Sequence, residues 1–236
     1  MTRKVKIALL VSAALAATLA GLFCFTAPHL ERTKMKAEQE KLLISIAAGD
    51  GQLMLHPDLG LNFYDTTGMD VIVLDPQGET IEPTETAEIS EPQVAGGIGV
   101  LTIDKIDATL PVTDGVSRAQ LKIAEGWVPQ TAPIGETGNA VIAGHRSYTY
   151  GEHFNRLGEL AEGDTIRYTT KDGEEMTFTV TELLTVLPGD TAAFTQPEDT
   201  AMLTLYTCTP IRTATHRLLV RAERNSISTS DGNAVE

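Results

Sequence analysis

The chain has 236 residues, 42% of them hydrophobic and 21% charged, the composition of a globular protein with one domain or two and a sizeable core. Its net charge of −14 argues against a nucleic-acid binder, which needs a basic surface to displace counterions from phosphate. Beyond the first residues the one basic cluster, Arg32–Lys41, is flanked and interrupted by Glu31, Glu38 and Glu40, and the overall acidity suits the solubility of an exported domain.

The N-terminus "MTRKVK" supplies Arg3, Lys4 and Lys6, and Ile7–Ala27 follows without a charge. At about 1.5 Å per residue that stretch spans roughly 30 Å, the thickness of a hydrocarbon core. Basic residues ahead of it place the N-terminus in the cytoplasm and the rest outside. Phe23 and Phe25 stand where a signal peptidase would require small residues, so an uncleaved anchor is expected, with Cys24 one of its apolar residues. The division that follows is a cytoplasmic tail over 1–6, a transmembrane anchor over 7–27, and an extracellular helix, irregular segment and acidic linker over 28–97. A β-rich domain over 98–225 and a polar tail over 226–236 complete it.

Residues 31–48 predict a helix. Glu31, Lys34, Glu38 and Lys41 sit at pairing distances, Met35, Leu42, Leu43 and Ile46 form a broken apolar stripe, and "GDG" at 49–51 stops it. It reads as a stalk continuing the anchor. Val71–Leu74 is strand-like and ends at Asp75-Pro76. Thr80–Pro92 is acidic, rich in Thr and Pro and poor in large apolar residues, and reads as a linker.

From Gly97 the pattern is β. "GVLTID" and "ATLPV" are short strands, "SRAQLKIAE" a short helix capped by Ser117, and "NAVIAG" (139–144) a strand buried on both faces. "DTIRYTT" and "EMTFTVTELLTVL" alternate, with Ile166 and Tyr168 on one face and Met176, Phe178 and Val180 on another, joined by the turn "KDG". "AMLTLYTC" and "HRLLVRAER" complete the set. Many short strands with few helices predict a mainly β fold, a closed barrel or a sandwich.

The chemistry centres on Cys208, the only cysteine besides Cys24. An exported protein in an oxidising compartment would pair its cysteines, so an unpaired one is either buried and inert or kept for its reactivity. A thiol attacks a carbonyl as thiolate, assisted by a base, and the oxyanion formed needs a fixed donor. Among the five histidines, His29 and His56 lie in the stalk and the irregular segment. His153, in "YGEHFNRL", is expected on a short surface helix, and His216 opens the strand after Cys208. His145, at the end of the buried strand, has the best context for catalysis. Arg217 starts the strand returning from Cys208, and alternation turns it to the face opposite His216. Arg212 is expected in solvent at the loop tip, and Arg146 to point away from His145.

"TLYTC" (204–208) followed by Arg217 resembles the Thr-Leu-x-Thr-Cys…Arg signature of the sortases, cell-surface transpeptidases of Gram-positive bacteria. "NAVIAGHR" (139–146) resembles their Gly-His-Arg segment, and "IDKIDATLPV" and "TAPIGETGN" the stretches before it. The likeness runs from about Gly97 to Arg224. It implies an eight-stranded sortase barrel with His145, Cys208 and Arg217 at one rim. It also implies cleavage of a Leu-Pro-x-Thr-Gly-like motif between Thr and Gly through a thioacyl-enzyme. The implied partners are exported proteins with a C-terminal sorting signal and an amine acceptor, a cell-wall precursor or a pilin lysine; no cofactor or metal is implied. The tail after Cys208 is similar to pilin-polymerising class C members, whereas "GHRSYTYGEHFNRL" looks more like class D or class A. Class C lids carry Asp-Pro-aromatic, and here Gln77 follows Asp75-Pro76. Trp127 stands where many sortases have a second, non-catalytic histidine. The competing readings are another extracellular cysteine peptidase, a zinc site built from Cys208, His216 and His145, and a non-catalytic binding barrel.

Overall fold

A computed structural model of the chain describes residues 3–55, 73–74, 80–81 and 93–225. Helix α1 spans Arg3–Ala47 and ends at the turn before strand β1, Gln52–Leu55. Two short strands, β2 (Val73–Leu74) and β3 (Thr80–Ile81), pair with each other, so the expected linker opens with a bridge. Then come β4 (Gln93–Ile103), β5 (Ala108–Asp114), helix α2 (Arg118–Leu121), β6 (Glu125–Trp127) and β7 (Gly138–Ala143). The hairpin β8 (Thr165–Thr170) and β9 (Glu175–Val186), and the hairpin β10 (Ala201–Thr209) and β11 (His216–Arg224), follow.

The sheet runs β1-β4-β5-β6-β7-β10-β11-β9-β8, and a further β4–β8 pairing closes the eight strands β4 to β11 into a barrel. Closure leaves β1 as an appendage on the N-terminal half of β4. Leu101, Ile103, Val112, Ala140, Ile142, Ile166, Phe178, Leu203, Leu205 and Val220 fill the interior. The other face of β7 is also covered: Val141 and Ala143 pack with Tyr206, Leu219 and Ala193 of the 3-10 turn Thr191–Phe194. This explains the unbroken apolar run "AVIA". The alternation expected in β8 and β9 is present, with Ile166, Tyr168, Met176, Phe178 and Val180 all buried.

Two expectations change. The helix begun by Ser117 ends at Leu121 behind a reciprocal cap in which Ser117 and Gln120 bind each other's main-chain N–H. Glu125 therefore belongs to strand β6, paired in parallel with β5 and antiparallel with β7. The segment read as a stalk lies on the barrel: Leu42 and Ile46 are fully buried against Ile123 and Ala124. Arg32 and Lys36 of α1 also reach Glu152 at 2.7 and 3.1 Å. At Gly97 a Cβ would meet Ile46 Cγ1 at 2.6 Å, so the helix can only settle there over a glycine. Among the described residues, no helix is long and apolar enough to cross a membrane. The span expected over Ile7–Ala27 includes residues 7–11, 13, 24, 25 and 27, whose side chains lie outside those described. Asp75-Pro76, Gln77 and the polar tail 226–236 are likewise outside the described residues.

Candidate active site

The site forms where β7 runs parallel to β10. Ala143 is level with Tyr206 in that pairing, and the segment Gly144-His145-Arg146 leaves the end of β7 where Thr207, Cys208 and Thr209 end β10. Two threonines of "TLYTC" hold the strands together. Thr204 donates its hydroxyl to Asn139 Oδ1 and Thr207 to the Gly144 carbonyl, each at 2.8 Å. Both threonines are buried, at 0% and 1% exposure, and the Gly144 amide returns a bond to the Tyr206 carbonyl. Asn139 is itself held by its amide donating to the Ala193 and Thr195 carbonyls. The spacing of the signature thus has a mechanical meaning. One threonine fixes the root of the strand that carries His145, and the other fixes its tip.

On the other side of β10, Cys208 is the ladder partner of Arg217, and Thr209 that of His216. Arg217 is buried at 3% exposure, with Nη1 donating to the Ala214 and His216 carbonyls. His216 is only partly buried and meets Thr215 Oγ1. The expected division of faces between the two is therefore present. Arg212 is exposed, as expected, yet it shares with Cys208, Arg146, Tyr148, Ile211 and Ala214 the lining of one shallow depression.

Cys208 is 5% exposed and unpaired. Burial pushes its pKa above the ordinary thiol value, and the cationic Arg217 and Arg146 pull it back in part. Burial likewise lowers the pKa of Arg146, which the neighbouring thiolate would raise. Burial raises the Tyr206 phenol against the opposing pull of Arg217.

Sequence reasoning missed three residues. Arg146 does not turn away from the site: its Nη1 donates to Thr209 Oγ1 at 2.7 Å and lies 3.5 Å from the Cys208 carbonyl. The segment after Ala143 is no longer strand, so alternation does not govern it. His153 lies in a turn, not on a surface helix; its ring is mostly buried, with Nδ1 3.0 Å from Glu125 Oε1 and its centroid 6.2 Å from that of His145. Glu125 is fully buried. The signal that could have found His153 is its place just before Phe154, a large apolar residue that must turn into the core and does so at 0% exposure. Trp127 donates Nε1–H to the Ala132 carbonyl, a packing role. Among the described residues no group of three or more His, Cys, Asp or Glu side chains could hold a metal ion.

An eight-stranded barrel that pairs a buried thiol with a buried guanidinium in one ladder, beside a strand that runs out into Gly-His-Arg, defines a narrow class of folds. The sortase domain model matches residues 101–225, just over half of the chain. Sortase D of Bacillus subtilis (strain 168) is 32% identical over 120 residues, covering 51% of this chain and 58% of that protein. Among solved structures, a Clostridium perfringens sortase D5 transpeptidase is 31% identical with a TM-score of 0.50, over 55% of this chain and 79% of that one. Sortase A from Corynebacterium diphtheriae is 25% identical with a TM-score of 0.54, over 94% of this chain and 100% of that one. The chain spans about half the length of the curated relatives it matches. It belongs to the sortase family.

Proposed function

We propose that the chain is a cysteine transpeptidase that cleaves a Leu-Pro-x-Thr-Gly-like motif between Thr and Gly and passes the acyl group to an amine. The observation that carries this reading is the adjacency of Cys208 and Arg217 in one ladder, with the Gly144-His145-Arg146 segment leaving the end of the neighbouring strand. In the first half-reaction the Cys208 thiol gives its proton to His145 and its sulfur attacks the threonine carbonyl carbon. The oxyanion is met by the Arg217 guanidinium, which stays charged at any working pH. The C–N bond breaks, His145 gives its proton to the leaving glycine amine, and a thioester remains. In the second half an acceptor amine attacks the thioester, His145 takes its proton, and the thiolate leaves as a new amide forms. Arg146 adds a second positive charge beside the sulfur and fixes the main chain of 208–209.

The partners in this reading are exported proteins with a C-terminal sorting signal and an amine on a wall precursor or a pilin lysine, with attachment or pilus assembly as the outcome. The location is the outer face of the cell membrane. The uncharged run Ile7–Ala27 behind three basic residues supports it, as do Leu15, Leu19, Leu22 and Phe23, each more than half exposed on α1 with no cover from the barrel.

The test incubates the full chain with a library of sorting-motif peptides and candidate amines, and reads products by mass spectrometry. Cleavage between Thr and Gly with capture of an amine is expected, and its loss in Cys208→Ala and Arg217→Ala. Near wild-type turnover by Arg217→Ala would remove that residue from the chemistry. Turnover by Cys208→Ala would sink the reading.

A further inference from the structure

We infer that Glu125 and His153 act as a positioning pair for His145, clamping the Gly144–His145 backbone and setting the charge beside the His145 ring. The inference rests on the transpeptidase reading above for its kinetic consequence, but its geometry stands independently.

Three contacts converge on residues 144 and 145. Glu125 lies directly beneath Gly144: a Cβ there would fall 1.7 Å from Glu125 Oε2 and 2.7 Å from Phe154 Cδ2. The glycine of the Gly-His-Arg segment is thus a seat for a carboxylate. His153 holds that carboxylate through Nδ1, 3.0 Å from Oε1. Its neighbour Phe154 donates its amide to the His145 carbonyl at 2.9 Å. The His153 and His145 rings then meet edge to face, 86° apart in plane and 6.2 Å between centroids. Tertiary contact alone does not require a charged group here. A fully buried carboxylate, with Oε2 making no hydrogen bond, is costly unless it is paired or does something.

The electrostatics follow from the surroundings. Burial disfavours the charged His153 ring, but the Glu125 carboxylate, by charge and by hydrogen bond, then Glu152 and the Lys122 main chain, hold its pKa above the ordinary value. Burial raises the Glu125 carboxyl, and His153 pulls it down. From the helix side Arg32 and Lys36 offset Glu152. Lys36, Glu40 and Asp107 line, with Glu152 and His153, a cavity of about 240 Å³ between α1 and the barrel. At the neighbouring end of β10 and β11 stand Arg146, Cys208 and Arg217, with Cys208 and Arg217 level in one ladder. The Glu125 carboxylate under Gly144 and the His153 ring beside His145 thus bring a pair of opposite charges against this short segment.

The experiment measures two things on the full chain. One is the imidazole titration of His145 and His153 by NMR in the Cys208→Ala background, which needs no turnover. The other is the pH profile of kcat/KM for peptide cleavage. In the unmodified Glu125–His153 pair, His153 should titrate above about 6.5, the ordinary imidazole value. Glu125→Gln keeps the shape but removes the charge that holds His153 protonated. The His145 titration should then move by roughly half a unit or more, and the matching limb of the pH profile should move with it, with KM little changed. His153→Gln should also displace the His145 titration. If His153 titrates at or below the ordinary value, or if Glu125→Gln leaves both the His145 titration and the pH limb in place, the inference is overturned. Should the peptides not be cleaved at all, the transpeptidase reading fails while the NMR arm still decides the positioning role.

Discussion

Replacing Thr207 by valine tests whether the signature threonines deliver His145 to Cys208. Valine keeps the branched shape and suits a strand, so the change amounts to the loss of one hydroxyl. That hydroxyl is buried at 1% exposure and donates to the Gly144 carbonyl at 2.8 Å. Losing the bond and leaving a carbonyl without it in a buried place costs about 1–3 kcal/mol. At roughly 3–5 °C per kcal/mol for a domain of this size, thermal unfolding should start about 3–15 °C lower. The functional cost should be larger than the stability cost implies, because the bond lies one residue from His145. A small displacement of a reacting group can cost tenfold or more in turnover. Thr204→Val provides the comparison. It removes the bond to Asn139 at the root of β7, equally buried but remote from the tip. The two variants should lose similar stability, measured by urea and thermal unfolding, and Thr207→Val should lose distinctly more kcat in the peptide assay. Equal kcat losses, or a wild-type Tm in Thr207→Val, would refute the view that the outer threonine positions the histidine.

The docked helix gives a second prediction. Leu42→Ala should weaken the seat of α1 on Ile123 and Ala124 by about 2–5 kcal/mol, read as faster limited proteolysis between α1 and β4 with the barrel left intact. The thiol gives a third. Burial holds Cys208 above the ordinary thiol pKa, so alkylation by iodoacetamide should reach half its maximum rate above about pH 8.5, and Arg217→Gln should move that point higher still by removing a cation; a midpoint below the ordinary value would contradict this. A fourth concerns stability against pH. His153 and Glu125 both have folded pKa values above those of an ordinary imidazole and carboxyl, so what they contribute is present at low pH and lost as pH rises through the folded values. Glu152 has a lowered pKa despite burial, through Arg32 and Lys36, so its contribution is lost as pH falls. Tm should therefore peak on the mildly acidic side and decline above about pH 6.5, and His153→Gln should flatten the decline. A Tm rising from pH 6.5 to 8.5 would show that the pair is not charged in the way described.

The barrel strands were legible because each carries a local pattern. The alternation in β8 and β9 and the doubly buried run of β7 follow from the two-residue period of a strand. Cys208 and Arg217 were legible for a similar reason: they lie on strands joined by a short loop, so register alone brings them together. What failed depends on contacts distant in sequence. The helix from Ser117 was read through Glu125, since nothing local says that Glu125 turns into β6 to lie under Gly144. Its partner His153 is 28 residues further on, and the pairing exists only once the barrel closes. The same applies to α1. Its apolar stripe was visible, but its use as a barrel-facing seat depends on Gly97 offering the space.

Charge shows most clearly the gap between a bulk property and a site. A chain of net −14 suggests an environment hostile to a thiolate, yet the depression at Cys208 is lined by Arg146 and Arg212, with Arg217 across the ladder. Coulomb interactions at contact distance outweigh screened charges farther away than a Debye length of about 8–10 Å. The acidic residues therefore govern solubility, and a few arginines govern the sulfur. Burial of Cys208 works against those arginines, and the balance keeps its pKa above the ordinary thiol value. In the proposed reaction that proton has to be taken up before the sulfur can attack, and the histidine of the Gly-His-Arg segment is the base to which the proposal assigns it.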